Sequence, residues 1–219
     1  MVGSAASIAD VNTTLNTIVA ESLKQFADKL ENETDLWQGV KDIIADVFER
    51  HKRVLFDGNN YSESWLYEAK RRGLVIADTV QSIRELSDEQ NVGLFERHGI
   101  LTRREQLARQ EILFETYCDA IRVESAVTCE IVEKQISPYV EEYQRRIAKL
   151  IYDKTQSDLP VAIEKEKLNG LINLHKDLLT ATADLKLNLT QAQQIKDTAQ
   201  KAELLKNGTI SAMREVRKY

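Results

Sequence analysis

Thr102-Arg103-Arg104-Glu105-Gln106-Leu107-Ala108-Arg109-Gln110-Glu111-Ile112-Leu113 opens the segment whose reading decides the fold. Thr102 and Glu105 stand at capping-box spacing, in which the hydroxyl and the carboxylate satisfy backbone donors at a helix start. Beyond them Ile112, Leu113, Thr116, Tyr117, Ala120, Ile121, Val123, Val127, Ile131 and Ile136 recur at helical steps. They form a stripe broad enough to pack against several neighbours. Pro138 is expected to kink this helix or to start a new one, because proline lacks a backbone donor and clashes one turn back. Helical spacing then continues from Tyr139 to Tyr152.

Further along the chain, Ser157 or Asp158 is expected to cap another long helix, with Pro160 tolerated in its first turn. Leu168, Leu171, His175, Leu178, Thr182, Leu185, Leu189 and Ala192 follow alternating three- and four-residue steps, a short heptad pattern of the coiled-coil kind. A phase shift, as at a stammer, carries the stripe on through Ile195, Ala199 and Ala202. Asn207-Gly208 is expected to end it, and Thr209 to cap a last segment. The Arg103 to Asp153 region should pack against the Val161 to Leu205 helix as a long antiparallel hairpin.

Toward the N-terminus, Val11, Leu15, Ile18, Val19, Ser22, Phe26 and Leu30 mark one stripe on a first helix, with Asp10 or Asn12 as its cap. A second helix is expected from Asp35 to Arg50, burying Leu36, Val40, Ile43, Ile44, Val47 and Phe48. It leads into the basic cluster His51-Lys52-Arg53, the apolar run Val54-Leu55-Phe56 and the turn residues Asp57-Gly58-Asn59-Asn60. Ser62 then caps a helix ended by Gly73, and shorter helices follow near Thr79 to Leu86 and near Asp88 to His98. Trp65, Leu66, Phe95, Tyr117 and Ile121 are the expected core.

Only 2 Pro and 8 Gly among 219 residues, against abundant Leu, Ala, Glu, Lys and Gln, predict an all-α fold. The reading divides the chain into 1-50, 51-157 and 158-219, expected to form one structural domain with a long projection. A formal net charge of -5 supplies no broad basic field, so nucleic acid is not an expected partner. Neither is a membrane, since no apolar run approaches the ~20 residues a bilayer requires. With no secretory signal read at the N-terminus, a cytoplasmic protein is expected and the Asn-x-Ser/Thr triplets carry no weight. Cys118 and Cys129 would lie about 16 Å apart on one helix, too far for a disulfide, and are read as reduced packing residues.

Catalytic motifs are sought without success. His51, His98 and His175 are scattered, and no His-Glu-x-x-His, Cys-x-x-Cys, phosphate-binding loop or nucleophile elbow occurs. His98 suits a helix C-terminus, and His175 a partly buried seam. Asp57, Asn59, Tyr61 and Glu68 match four positions of a calcium loop, but Ser62 stands where its glycine belongs. His51-Lys52-Arg53 beside the turn is either a solvated charge run or a holder for a phosphate or carboxylate. No catalytic, cofactor-binding or metal-ligating residue is assigned.

The run from His51 to Trp65, followed by Leu94-Phe95-Glu96-Arg97-His98-Gly99 and Tyr117-Cys118-Asp119-Ala120-Ile121-Arg122-Val123-Glu124-Ser125, resembles the region C-terminal to the catalytic fold of type III glutamine synthetases. Met1-Val2-Gly3-Ser4-Ala5-Ala6-Ser7-Ile8-Ala9 and Leu15-Asn16-Thr17-Ile18-Val19-Ala20-Glu21 look like that family's segment after its last active-site strand. Met213-Arg214-Glu215-Val216-Arg217-Lys218-Tyr219 is similar to the start of its closing helix, without the tail that follows there. The resemblance implies a parent ligase that makes glutamine from glutamate, ammonia and ATP with a divalent metal such as magnesium, in a large ring-shaped homo-oligomer. Its active-site residues would lie upstream, so this chain alone is not expected to catalyse. Its implied role is structural, with the parent's catalytic domain as partner. The alternative reading is a stand-alone helical adaptor that binds a protein along the Leu168 to Leu189 seam.

Overall fold

A computed structural model describes residues 7–219, and no strand occurs among the described residues. The first six residues, which begin the N-terminal resemblance, lie outside them. The chain divides into two compact units, Met1–Gln110 and Glu111–Tyr219.

The first unit contains α1 (Ala9–Leu30), α2 (Leu36–Arg50), α3 (Glu63–Arg71), α4 (Thr79–Arg84), α5 (Glu89–Arg97) and the first turns of α6 (Arg103–Ile131). Side-chain caps start most of these helices. The Asp35 carboxylate accepts from Gln38 N–H at 3.1 Å, and Ser62 Oγ from Trp65 N–H at 3.3 Å. Asp78 and Gln81 close a reciprocal capping box. At the head of α6, Thr102 N–H donates to Glu105 Oε2 at 2.8 Å and Glu105 N–H to Thr102 Oγ1 at 3.3 Å, the box read from sequence. Gly73 and Gly99 end α3 and α5 at φ of +70° and +62°.

The start of α1 differs from expectation. The helix begins at Ala9, whose N–H donates to Ser7 Oγ at 3.2 Å, and Asp10 instead pairs with Arg109 at 2.5 Å. The core of this unit is Val80, Val92, Phe95, Ile83 and Ala69. Two glutamines from the first turns of α6 tie it together: Gln106 Nε2 donates to Val92 O at 3.4 Å, and Gln110 Nε2 to Ile83 O, Arg84 O and Ser87 Oγ at 2.9, 3.0 and 2.9 Å.

In the second unit α6 passes through a π turn, Val132–Ile136, into α7 (Ser137–Gln156), then α8 (Ala162–Gln193), α9 (Thr198–Leu204), a second π turn, Leu205–Thr209, and α10 (Ile210–Val216). Pro138 sits in the first turn of α7. The wide turn lies where its ring would otherwise press on the carbonyl one turn back, so the chain stays helical there. α7 and α8 form the expected antiparallel hairpin, held beside its turn by Lys154–Glu164 and further along by His175 Nε2 against Ser137 Oγ at 3.1 Å. His175, Leu178, Thr182, Leu185 and Ala192 are buried, and Leu168, Leu171 and Leu189 half-buried, so the whole heptad seam faces inward.

Several sequence expectations fail in this unit, among them Pro160, which precedes α8 rather than lying in its first turn, and Thr209, which makes no side-chain cap. Ser157 and Asp158 do not cap α8: Ser157 Oγ donates back to Asp153 O at 3.1 Å, and Asp158 takes φ +52° in the turn. The stripe past Ala192 is no stammer, because α8 stops at Gln193 and Asp197 caps a new helix by accepting from Gln200 N–H at 2.7 Å. From there α9 and α10 run back along α8. Nor does Asn207-Gly208 end a helix. Gly208 lies within the second π turn, where a Cβ would stand 2.6 Å from Asn188 Oδ1, so close approach to α8 explains the glycine.

Candidate functional site

The most specific sequence motif becomes a compact clamp in the first unit. Phe56, in the extended segment after the basic cluster, stacks on Trp65 of α3 with ring centroids 3.9 Å apart. Arg72, two turns beyond Trp65 on the same helix face, lies 5.6 Å from the Trp65 ring centroid. Its Nη1 donates to Leu55 O at 2.7 Å, and its Nε to Glu68 Oε1 at 2.6 Å. Arg71 also bonds Glu68, and the two guanidiniums hold that carboxyl down at about 2. The chain's own arginines therefore take up the last residue of the calcium-loop match. Asn59 Oδ1 accepts from Tyr61 N–H at 3.0 Å, which makes a turn and leaves no cluster of ligands. Lys52 pairs with Glu49, and His51 is the exposed C-cap of α2. Arg72 was not singled out in the sequence, although its seven-residue spacing from Trp65 was the available signal.

Among the expected core residues, Phe95 and Ile121 are buried, Trp65 and Tyr117 are half-buried, and Leu66 is exposed. His98 ends α5 as expected, and its Nε2 lies 2.7 Å from Glu21 Oε2 of α1. Together with Gln25 and Arg97 it holds the Glu21 carboxyl at about 2.

α1 turns an unexpected face to this clasp. Thr17, one turn before Glu21, is 3% exposed, whereas Leu15, Ile18, Val19 and Leu23 stand at 46–60%. On α2, Leu36, Trp37, Ile44 and Phe48 are likewise open. Between the two helices lies a wholly apolar groove of about 250 Å³, lined by Phe26, Leu30, Val40, Ile43, Val47 and Phe48 among others. Apolar side chains of both helices thus lie open to solvent along one continuous face.

The second unit has a larger cavity, about 390 Å³, between α6, α8 and α9. Cys118, Leu189, Ala192 and Leu205 form its apolar part, with Glu115, Asp119, Arg122, Gln193, Thr198 and Lys201 around them. Burial pushes the Cys118 thiol up, with Lys201 opposing and Asp119, Glu111 and Glu115 reinforcing. Cys129 is also buried and shifted upward by burial. Among the described residues no three His, Cys, Asp or Glu side chains gather to hold a metal, so the donor set does not fit a divalent ion. No helix among them is long and apolar enough to cross a membrane.

The family model of the glutamine synthetase C-terminal domain matches residues 39–155, a span that carries the clamp and most of α6 and α7. A glutamine synthetase of Butyrivibrio fibrisolvens is 30% identical over 190 residues, covering 84% of this chain and 27% of that protein. The type-3 glutamine synthetase of Dictyostelium discoideum is 30% identical over 220 aligned positions, 94% of this chain and 29% of its own length. A glutamine synthetase of Bacteroides fragilis (strain YCH46) is 24% identical over 204, covering 88% and 27%. The chain thus spans less than a third of the curated relatives it matches. With the family model covering more than half of its residues, this chain belongs to the glutamine synthetase C-terminal domain family.

Proposed function

We propose that this chain is the helical structural part of a type III-like glutamine synthetase and that it docks on the catalytic part of that enzyme through the open face of α1 and α2. The parent would make glutamine from glutamate, ammonia and ATP with magnesium, in the cytoplasm and as a homo-oligomer. Its chemistry would be carried by residues outside this chain. The observation that carries the reading is the orientation of α1, which buries Thr17 and leaves Leu15, Ile18, Val19 and Leu23 open. A helix gains little by facing water in this way unless another surface covers it. The relatives' names, glutamine synthetase and type-3 glutamine synthetase, supply the occupant. The adaptor reading has less support, because the Leu168 to Leu189 seam it requires is taken up inside the second unit.

The test is to mix the purified chain with a catalytic fragment of the synthetase and measure both association and ATP-dependent glutamine formation. Association should be lost in an Ile18→Asp, Leu23→Asp variant that keeps its helix content. Equal binding by that variant, or glutamine formation by this chain alone, would sink the proposal.

A further inference from the structure

We propose that the cavity between α6, α8 and α9 binds a small apolar α-amino acid as its zwitterion, with the ligand ammonium against Glu115 and its carboxylate against Lys201. This site is independent of the α1–α2 docking face and of the parent's chemistry.

The charges around the cavity are unequal in their pairing. Asp119 and Arg122 neutralise each other at 3.1 Å, and Glu111, just outside, accepts from Thr198 Oγ1 at 2.6 Å. Glu115 and Lys201 line the cavity from α6 and α9, yet neither makes an ion pair or side-chain hydrogen bond among the described residues, with each other or with any neighbour. One free carboxylate and one free ammonium across a gap select a ligand carrying both signs. A lone anion would meet Glu115, and a lone cation Lys201.

The rest of the lining fits the remainder of such a molecule. Cys118, Ala192 and Leu205 are 7%, 3% and 2% exposed, and form an aliphatic wall with Leu189. Gln193 and Thr198 add neutral polar groups at the same cavity. Its volume of about 390 Å³ lies within the range of small-molecule sites, which pair an apolar lining with a few convergent polar groups. The site is also held open by structure on each side. Cys118 Sγ lies 3.8 Å from Thr198 O, fixing α6 against α9, and the reversal capped by Asp197 fixes α9 against the end of α8.

The experiment is an amide NMR titration of the 219-residue chain with L-leucine, beside 3-methylbutylamine and 4-methylpentanoate, which lack its carboxylate and its ammonium respectively. L-leucine should shift amides near Glu115–Arg122 and Ala192–Lys201 saturably, with a dissociation constant on the order of 1 mM. Each analogue, and each of the variants Glu115→Gln and Lys201→Met, should weaken binding by about tenfold, the loss of one charge-assisted contact. Both side chains reach the surface, and an unchanged amide spectrum elsewhere shows that the variants fold. No saturable shift up to roughly 20 mM L-leucine, which is far above that dissociation constant, would overturn the proposal. Binding of both analogues as tight as that of L-leucine would overturn it too, since the cavity would then be reading only apolar volume.

Discussion

Replacing Arg72 by Met tests whether the Phe56–Trp65 motif is a clamp or only a sequence signature. The guanidinium donates to Leu55 O at 2.7 Å and lies 5.6 Å from the Trp65 ring centroid, while its side chain is 26% exposed. A charged hydrogen bond to a carbonyl contributes about 1.5–3 kcal/mol when well shielded, so the partly open Leu55 carbonyl argues for about 1 kcal/mol. The cation–π contact adds about 0.5–1 kcal/mol at such exposure. Arg72→Met keeps the aliphatic packing, so it should cost the first unit about 2 kcal/mol. With a urea slope of about 2 kcal/mol/M, that moves its midpoint down by about 1 M. The assay is urea unfolding followed by Trp65 fluorescence in a Trp37→Phe background, since Trp37 is 77% exposed and would report only solvent. Arg72→Lys should recover less than half of the loss, because an ammonium cannot serve the carbonyl, Glu68 and the ring face together. A shift below about 0.2 M for Arg72→Met, equivalent to a few tenths of a kcal/mol at that slope, would refute the clamp.

Leu185 has no exposed surface at the centre of the second unit, so Leu185→Ala should cost about 2–5 kcal/mol, read as a lowered thermal or urea midpoint. Glu21 is held at about 2, below its ordinary 4.5, so its contribution is present above pH 4.5 and lost as pH falls toward 2. The melting-temperature gap between the native chain and Glu21→Gln should therefore close across that interval, and a constant gap would refute the assignment. Gly208→Ala should destabilise by about 1–3 kcal/mol because its Cβ would crowd Asn188, which itself donates to Asp184 O at 2.9 Å. In an Asn188→Ala background the same change should become stabilising by up to about 1 kcal/mol, the ordinary helix preference of alanine over glycine.

Local chemistry made much of this fold legible. Asp35, Ser62 and Thr102 with Glu105 cap helices in the expected way because capping joins groups within three residues of each other. The α8 seam was legible because every residue from Leu168 to Ala192 keeps one periodicity and one face. The reversal after Gln193 was not, since a loop of four residues and a stammer shift the phase alike, and only the cap at Asp197 decides between them. Gly208 was misread for a related reason. A glycine that ends a helix and one that admits a neighbouring helix look the same until Asn188 is known to stand opposite it. The α6–α9 cavity had no sequence signal at all, because Glu115 and Lys201 are ordinary surface charges until the chain reversal brings their helices together.

α1 shows why an apolar stripe alone does not identify a core. Its hydroxyls are satisfied within the helix: Thr13, Thr14 and Thr17 donate to the carbonyls of Ala9, Asp10 and Thr13 at 2.9, 2.9 and 2.7 Å. Turning these residues inward therefore strands no donor, and it lets Glu21 reach Arg97 and His98 of α5. The opposite orientation would bury Leu15, Ile18, Val19 and Leu23, each worth roughly 1 kcal/mol for the half of its surface now open, about 4 kcal/mol together. The clasp, in which Arg97 is open while His98 and Glu21 are half-buried, does not offset a difference of that size. The observed orientation leaves that burial to be supplied by a second surface, and this is the physical ground on which the docking proposal for α1 and α2 rests.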